Sequence, residues 1–516
     1  MLALAVLGML LSPVAGSAAE KPTNPGTAPE TRASRALDQA RKQGPPALRA
    51  FLYTMPKGTD LHVHLSGAVY AESFLRAAGQ DDLCVNPKTL SFVRSSGASQ
   101  GCADGTVAAA TIPKNQHLYD ALIDAFSMRS FVASNGNSGH DHFFDTFDKF
   151  GGTSKSHLGE WIDEVATRAA AQNEQYLELM HTPDFDKAAS LATEIGFHAD
   201  FAQYRQLMLD RGLRDSIPAI RAQMDEAEAM RSKLEKCGQP DALPSCGVEV
   251  RYLFQVLRGL PKEIVFAQTL LAFEVAAADP RFVGLNFVMP EDGYVSMNDY
   301  QLHMQMLDAL HGFYPKVHIS LHAGELAPGM VAPDGLKFHI RSAVEQGHAE
   351  RIGHGVDLMY EDRPYELLKE MAAHHVMVEI NLTSNDVILD VKGRDHPLPF
   401  YRKYGVPVAL STDDEGVSRI DLTNEYVRAV DTYSLSYAEV KQMVRTGLEH
   451  SFLPGSSLWQ QGQTGAEKFD RPVAACSEQM SRPRPSGECA RYLQSNEKAR
   501  QQWELERRFH SFEASF

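Results

Sequence analysis

Eight short apolar runs alternate with helix-compatible stretches along this chain, and no other feature restricts its fold as much. The runs are DLHVHL (60–65), YLELM (176–180), VEVRYLFQVL (248–257), FVGLNFV (282–288), VHISLHA (317–323), RIGHG (351–355), VMVEINL (376–382) and PVALST (407–412). Amphipathic stretches such as PKEIVFAQTLLAFEVAAA, GLKFHIRSAVEQGH and RPYELLKEMAAHH separate the later ones. Strands alternating with helices imply parallel pairing through helical crossovers. Eight such units predict an α/β fold of the (β/α)8 barrel type. An open doubly wound sheet is the alternative, but no glycine-rich dinucleotide fingerprint follows a strand.

The flanks divide the chain further. Residues 1–19 hold an apolar core, Leu2 to Leu11, then small residues up to Ala19, the pattern of a cleaved secretory signal. A retained anchor is the competing reading, although the apolar stretch is short for a bilayer. An N-terminal arm follows (20–55), with a helix expected over TRASRALDQARKQ. The barrel is expected over 56–455, with insertions at about 80–115 and 185–245. A C-terminal tail (456–516) closes with the helix-like EKARQQWELERRFHSF. Nothing after the leader reads as membrane-spanning.

Six cysteines fall in three local couples: Cys84 with Cys102, Cys237 with Cys246, and Cys476 with Cys489. In an oxidising compartment each couple would close a short loop, worth roughly 2–4 kcal/mol per bridge. Spacing alone leaves about fifteen pairings open for six cysteines. None of them has CxxC spacing. Lys plus Arg number 50 against 66 Asp plus Glu, a net charge of −16, which argues against a nucleic-acid partner. The expected product is an exported, soluble protein, periplasmic or extracellular, free of the membrane after signal cleavage.

In a barrel of this type, chemistry sits at the C-terminal ends of the strands. The first run carries His62 and His64, on one face of a strand. The fifth ends in HAGE (His322, Glu325), the sixth in GHG (His354) and the eighth in STDD (Asp413, Asp414). Singly, a strand histidine is more often a core residue than a ligand, and an Asp pair is more often a turn. Four strands delivering such residues at the same end argue for a site. Three histidines and a carboxylate suit Zn²⁺ with one position open to water.

The order HxH, HAGE, GHG, STDD resembles the adenosine deaminase family of metal-dependent amidohydrolases, over about residues 55 to 455. MPKGTDLHVHLSG, the cysteine-bearing early insertion and TSNDVILDVKGRDHPLPFYRKYGVPVALSTDDEG are most similar to its secreted growth-factor-related branch. The resemblance implies one Zn²⁺ per chain held by His62, His64, His322 and Asp413. FVGLNFVMP lacks the lysine of binuclear relatives, which favours a single metal. Bound zinc would lower the pKa of its water toward about 7. His354 would orient that water and take part in proton transfer, Glu325 would protonate purine N1, and Asp414 would hydrogen-bond N7. The implied reaction turns adenosine or 2′-deoxyadenosine into the inosine counterpart and ammonia. Asn385, in TSN, is expected to bond backbone near the site. The arm lies where the secreted branch carries dimer-forming helices, so a homodimer is one expected state.

Two positions depart from the family pattern. Ser66 stands where cytosolic deaminases carry an Asp that meets the ribose. Met289 stands where they carry a glycine whose backbone approaches the purine. Both are candidate substrate-binding residues, and both leave the nucleoside open. The alternatives are the same zinc chemistry on another 6-aminopurine or modified adenine nucleoside, and a non-catalytic secreted signalling protein with a deaminase-like barrel.

Overall fold

Every apolar run becomes a parallel strand. In the computed structural model, which describes residues 28–94, 101–153, 155–460, 469–480, 482 and 484–516, the strands are β1 (Gly58–His64), β2 (Glu174–His181), β3 (Glu249–Leu257), β4 (Phe282–Val288), β5 (His318–Ala323), β6 (Arg351–His354), β7 (Met377–Ile380) and β8 (Val408–Leu410). The expected leader at 1–19 lies outside the described residues. Neighbouring strands pair in chain order, all parallel. The ring is completed by a bridge between Val63 and Asp413. Asp413 N–H donates to His62 O at 2.9 Å, and His64 N–H donates to Asp413 O at 3.0 Å. Closure therefore sets Asp413 between the two histidines of β1.

Both faces of the strands are covered, as a parallel barrel requires; all seven residues of β1 are buried. The helix Lys262–Ala278 packs on β3 and β4 and is itself buried from Val265 to Val275, because a further helix, Asp186–Ile195, covers it. Two strands, β7 and β8, are three residues shorter than their apolar runs. After Ile380 the chain turns into the helix Leu382–Leu389, and after Leu410 it leaves the ladder to reach β1.

The insertions carry their own staples. The strands Cys84–Asn86, Ser91–Val93 and Val107–Ala108 form a small antiparallel sheet tied by Cys84–Cys102. Cys237–Cys246 follows the helix Ile217–Leu234, and Cys476–Cys489 pins the start of the tail. All three expected couples are bonded. The first insertion also builds an aromatic core. Phe92 meets Phe126 edge-on at 5.0 Å, and Phe74 stacks on Phe150 at 4.4 Å. Phe150 ends the helix Gly139–Phe150, which a Ser138/Asp141 capping box starts. That helix crosses the C-terminal mouth of the barrel.

The arm helix Pro29–Gln43 buries Ala33, Leu37 and Ala40 against the helices Pro45–Thr54 and Glu497–Ala514. Lys441 joins arm and tail through Glu30 (3.0 Å) and Glu513 (2.6 Å). The arm's apolar stripe is thus covered by its own chain. Among the described residues no helix is long and apolar enough to cross a membrane.

Candidate metal and active site

The strand ends deliver His62, His64, His322, His354, Glu325, Asp413 and Asp414 to one buried cup. His62 Nε2 and His64 Nε2 lie 3.3 Å and 3.2 Å from Asp413 Oδ1. His64 Nε2 and His322 Nε2 are 3.1 Å apart. With the rings neutral, these lone pairs would face one another unless a shared cation lay between them. His62 Nε2 and Asp413 Oδ1 are buried with no hydrogen-bond partner, a costly arrangement unless a cation takes them. Ligand atoms from His62, His322, His354 and Asp413 lie within 4.8 Å of one another, as do those of His64, Asp413 and Asp414.

Hydrogen bonds on the far side of each ring decide which nitrogen faces the cup. His62 Nδ1 is 2.6 Å from Glu379 Oε2, so it donates and leaves the Nε2 lone pair inward. His64 Nδ1 meets Gln255 Oε1 at 2.8 Å. His322 Nδ1 meets Asn286 Oδ1 at 2.8 Å, and the same oxygen accepts His322 N–H at 3.1 Å. Three inward lone pairs and the Asp413 carboxylate are therefore the donor set that fits Zn²⁺. Behind them runs a buried chain: Arg351 joins Glu379 (2.7 Å) to Glu178 (2.6 Å). Burial opposes charge on His62, yet the carboxylates of Asp413 and Glu379 beside it outweigh that and push its pKa up to about 10. The cup demands positive charge at its centre.

Glu325 and Asp414 line the same cavity. Burial, reinforced by Asp413 and Glu291, holds the Glu325 carboxyl well above the usual range, so it keeps its proton. Its backbone is aimed by Glu291, whose Oε2 accepts Glu325 N–H at 2.7 Å and whose Oε1 accepts Gly324 N–H at 3.1 Å. Glu325 Oε1 lies 3.6 Å from His354 Nε2. Burial, with the Asp413 charge beside it, pushes Asp414 up to about 8. Asn385 differs from expectation: its side chain, not a backbone contact, reaches the site, with Nδ2 at 2.9 Å from His354 Nδ1.

Two glycines are required by close approach. A Cβ on Gly67 would fall 1.5 Å from Asp414 Oδ1, and one on Gly353 would fall 2.5 Å from His62 Cε1. Gly67→Ala is expected to displace Asp414 and to cost about 1–3 kcal/mol of stability, read by thermal denaturation. Backbone strain concentrates here as well. Asp413 (φ +63°), His354 (φ +69°) and Met289 (φ +86°) all adopt left-handed conformations that side chains disfavour. Met289 thus keeps the backbone of a glycine position while presenting its carbonyl to Arg258, at 3.2 Å from Nε and 3.1 Å from Nη2.

The cavity above the cup has a volume of about 350 Å³. Ser66, Gln255, Met289, Glu325 and Asp414 line its walls, and Phe143, Phe144 and Phe147 of the mouth helix roof it. Larger cavities, of about 900, 990 and 440 Å³, lie away from the convergent histidines. A second cluster, Glu235 with Cys237 and Cys246, is closed to a metal because its sulfurs are bonded to each other.

The sequence model of adenosine deaminase matches residues 136–458, well over half of the chain. The chain belongs to the adenosine deaminase family. Curated adenosine deaminases of Clostridium perfringens and Salmonella typhimurium are 34% and 38% identical to it over 138 and 140 residues. These alignments cover 26% and 27% of this chain and 37% and 39% of the relatives. The chain spans under two fifths of the length of these curated relatives. Among solved structures, the arabidopsis N6-mAMP deaminase superposes with a TM-score of 0.51 at 22% identity, covering 78% of this chain and 96% of that one. An amidohydrolase of Burkhoderia ambifaria with bound Zn gives 0.51 at 17% identity, covering 79% and 88%. At such identities the likeness is one of fold, and it agrees with the barrel of this adenosine deaminase family member.

Proposed function

We propose that this protein is an exported, zinc-dependent purine nucleoside aminohydrolase that converts adenosine or 2′-deoxyadenosine to the inosine counterpart and ammonia. The observation that carries the reading is the cup itself: inward lone pairs and a carboxylate beside a neutral, buried Glu325. His62, His64, His322 and Asp413 would hold the ion. Bound there, zinc supplies Lewis acidity that brings the ionisation of water toward neutrality. The bound Zn of the Burkhoderia ambifaria fold neighbour supports that choice of metal.

The chain's own groups account for the proton movements. Glu325 gives its proton to a ring nitrogen of the purine, which draws electrons from C6. Asp414, whose carboxyl burial pushes up and which is held against Gly67, would present a hydroxyl proton to a second ring nitrogen and keep the base in register. His354 faces the oxygen that attacks C6. The roof of Phe143, Phe144 and Phe147 excludes bulk water and offers aromatic faces to the base. Water adds at C6, the C–N bond breaks, and nitrogen leaves as ammonia.

Charge favours a nucleoside over a nucleotide. The ionisable carboxyl groups around the cavity are Asp148, Glu325, Asp413 and Asp414, and among the described residues no lysine or arginine lines it. A phosphate against these walls would meet carboxyl groups and no lysine or arginine among the described residues. The fold neighbour is named for N6-mAMP, so a comparison of adenosine, 2′-deoxyadenosine, AMP and N6-methyl-AMP as substrates tests the reading. Turnover of the nucleosides with at least tenfold lower kcat/KM for the nucleotides is expected, a difference of about 1.4 kcal/mol. Preference for AMP would overturn it.

Met289 narrows the same cavity. Met289→Gly removes about 1–2 kcal/mol of left-handed strain but adds up to about 1 kcal/mol of chain entropy. Its melting temperature is therefore expected to change little, while kcat/KM shifts toward bulkier 6-aminopurines. Unchanged relative substrate use would remove Met289 from the specificity determinants. Export is supported by the three disulfides, which take up all six cysteines and persist in oxidising compartments.

A further inference from the structure

The catalytic reading above leaves one buried pair unexplained: Asn385 and His396, which contact neither the cavity nor the donor set. Hydrogen bonds through them start from a group whose role is unambiguous. Leu398 N–H, a backbone donor, points at His396 Nδ1 at 3.1 Å. That nitrogen must therefore offer a lone pair, and a neutral imidazole so engaged carries its proton on Nε2. His396 Nε2 lies 3.0 Å from Asn385 Oδ1, which accepts it. The oxygen of the amide is thereby committed to His396, and its NH2 group must face the other way. It faces His354 Nδ1, at 2.9 Å.

We propose that Asn385 and His396 are positioning residues that hold His354 in the tautomer with its proton on Nε2, the opposite of the other three histidines of the cup. His62, His64 and His322 donate outward from Nδ1 to Glu379, Gln255 and Asn286 and turn lone pairs inward. His354 accepts outward and turns an N–H inward, its Nε2 lying 3.6 Å from Glu325 Oε1. His396 and Asn385 are buried, at 2% and 0% exposure, so water does not compete for these bonds. Burial also keeps His396 neutral, with its pKa pushed down to about 3. The relay has two consequences. His354 offers no lone pair to a metal, although its Nε2 lies among the ligand atoms. In the proposed reaction it acts as a hydrogen-bond donor to the attacking oxygen, not as the acceptor of its proton.

The inference rests on the deaminase reading for its kinetic consequence, but not for its structural one. The test is nitrogen-15 NMR of zinc-loaded protein labelled at histidine, with His354 assigned by its loss in His354→Gln. The expected spectrum shows His354 protonated at Nε2 and bare at Nδ1. In Asn385→Asp, nearly isosteric, the carboxylate demands a donor, and the proton is expected to move to Nδ1. Deamination should then fall about 10- to 100-fold in kcat with KM nearly unchanged, the usual scale for a lost supporting bond. His396→Gln, whose amide N–H can still donate to Asn385 Oδ1, is expected to keep the tautomer and most of the rate, whereas His396→Leu loses both. A wild-type His354 protonated at Nδ1 overturns the proposal without any variant, as does an unchanged tautomer in Asn385→Asp. A correct tautomer in a protein that deaminates no adenine nucleoside would overturn the function and leave the relay standing.

Discussion

Glu325→Gln is expected to lower kcat for adenosine by about 10²–10⁴-fold while KM changes little. Glutamine matches the carboxylic acid in shape and retains a donor N–H, but it has no acid proton to transfer. The size of the effect follows from where Glu325 sits. It is buried, it faces Asp413, and burial with that charge keeps it protonated well above the ordinary carboxyl range. Its backbone N–H is tied to Glu291 at 2.7 Å, which fixes the main chain from which the acid reaches the cavity. In the proposed reading substrate binding draws mainly on the aromatic roof and Asp414, which line the cavity and which the change does not touch. Steady-state kinetics across a substrate series separate the two parameters. A loss below tenfold, or one carried by KM, would remove Glu325 as the acid.

Asp413→Asn is expected to abolish stoichiometric zinc and to reduce turnover by about 10³-fold or more, the several kcal/mol that Lewis-acid assistance supplies. Asp413 is the single carboxylate of the proposed donor set, and its Oδ1 faces His62 and His64 at 3.3 and 3.2 Å. An amide in its place would offer a neutral oxygen to a dication and leave three imidazoles around it. The backbone bonds to His62 and His64 survive the change, so the barrel closure should persist. Metal analysis of the purified variant, with its melting temperature as a fold control, reads the outcome. Thermal stability should fall as well, because an ion held at a hundred times its Kd stabilises the native state by about 2.7 kcal/mol. Zinc retained at one per chain would contradict the ligand assignment.

How much of this was legible in the sequence depends on the type of residue. All eight strands follow from the apolar runs, and the cup residues sit where HxH, HAGE, GHG and STDD put them, because a parallel barrel sends its strand ends to one face. The supports behind the histidines were not identified, although a signal was present. Asn286 in FVGLNFV and Glu379 in VMVEINL are polar residues inside strand-forming apolar runs, and such residues require buried partners. Here the partners are His322 and His62. Gln255 belongs to the same class.

Other features depend on contacts far apart in the chain. Phe143, Phe144 and Phe147 read as the apolar side of an amphipathic helix, and only its packing beneath the disulfide-tied insertion turns them toward the cavity. Asn385 drew attention as part of TSN, but its contact was misjudged. The helix that begins at Leu382 points its side chain at His354. Gly353 in GHG is explained only by the nearness of His62 across the barrel. Met289 adopts a left-handed backbone, so the geometry of a glycine position is kept by a residue with a side chain.

The most direct test of the account is a zinc titration of metal-depleted protein assayed on adenosine for both ammonia and inosine. The account predicts equal yields of the two products, with activity rising until one zinc is bound per chain. Full zinc occupancy with no turnover of adenosine or 2′-deoxyadenosine would contradict it.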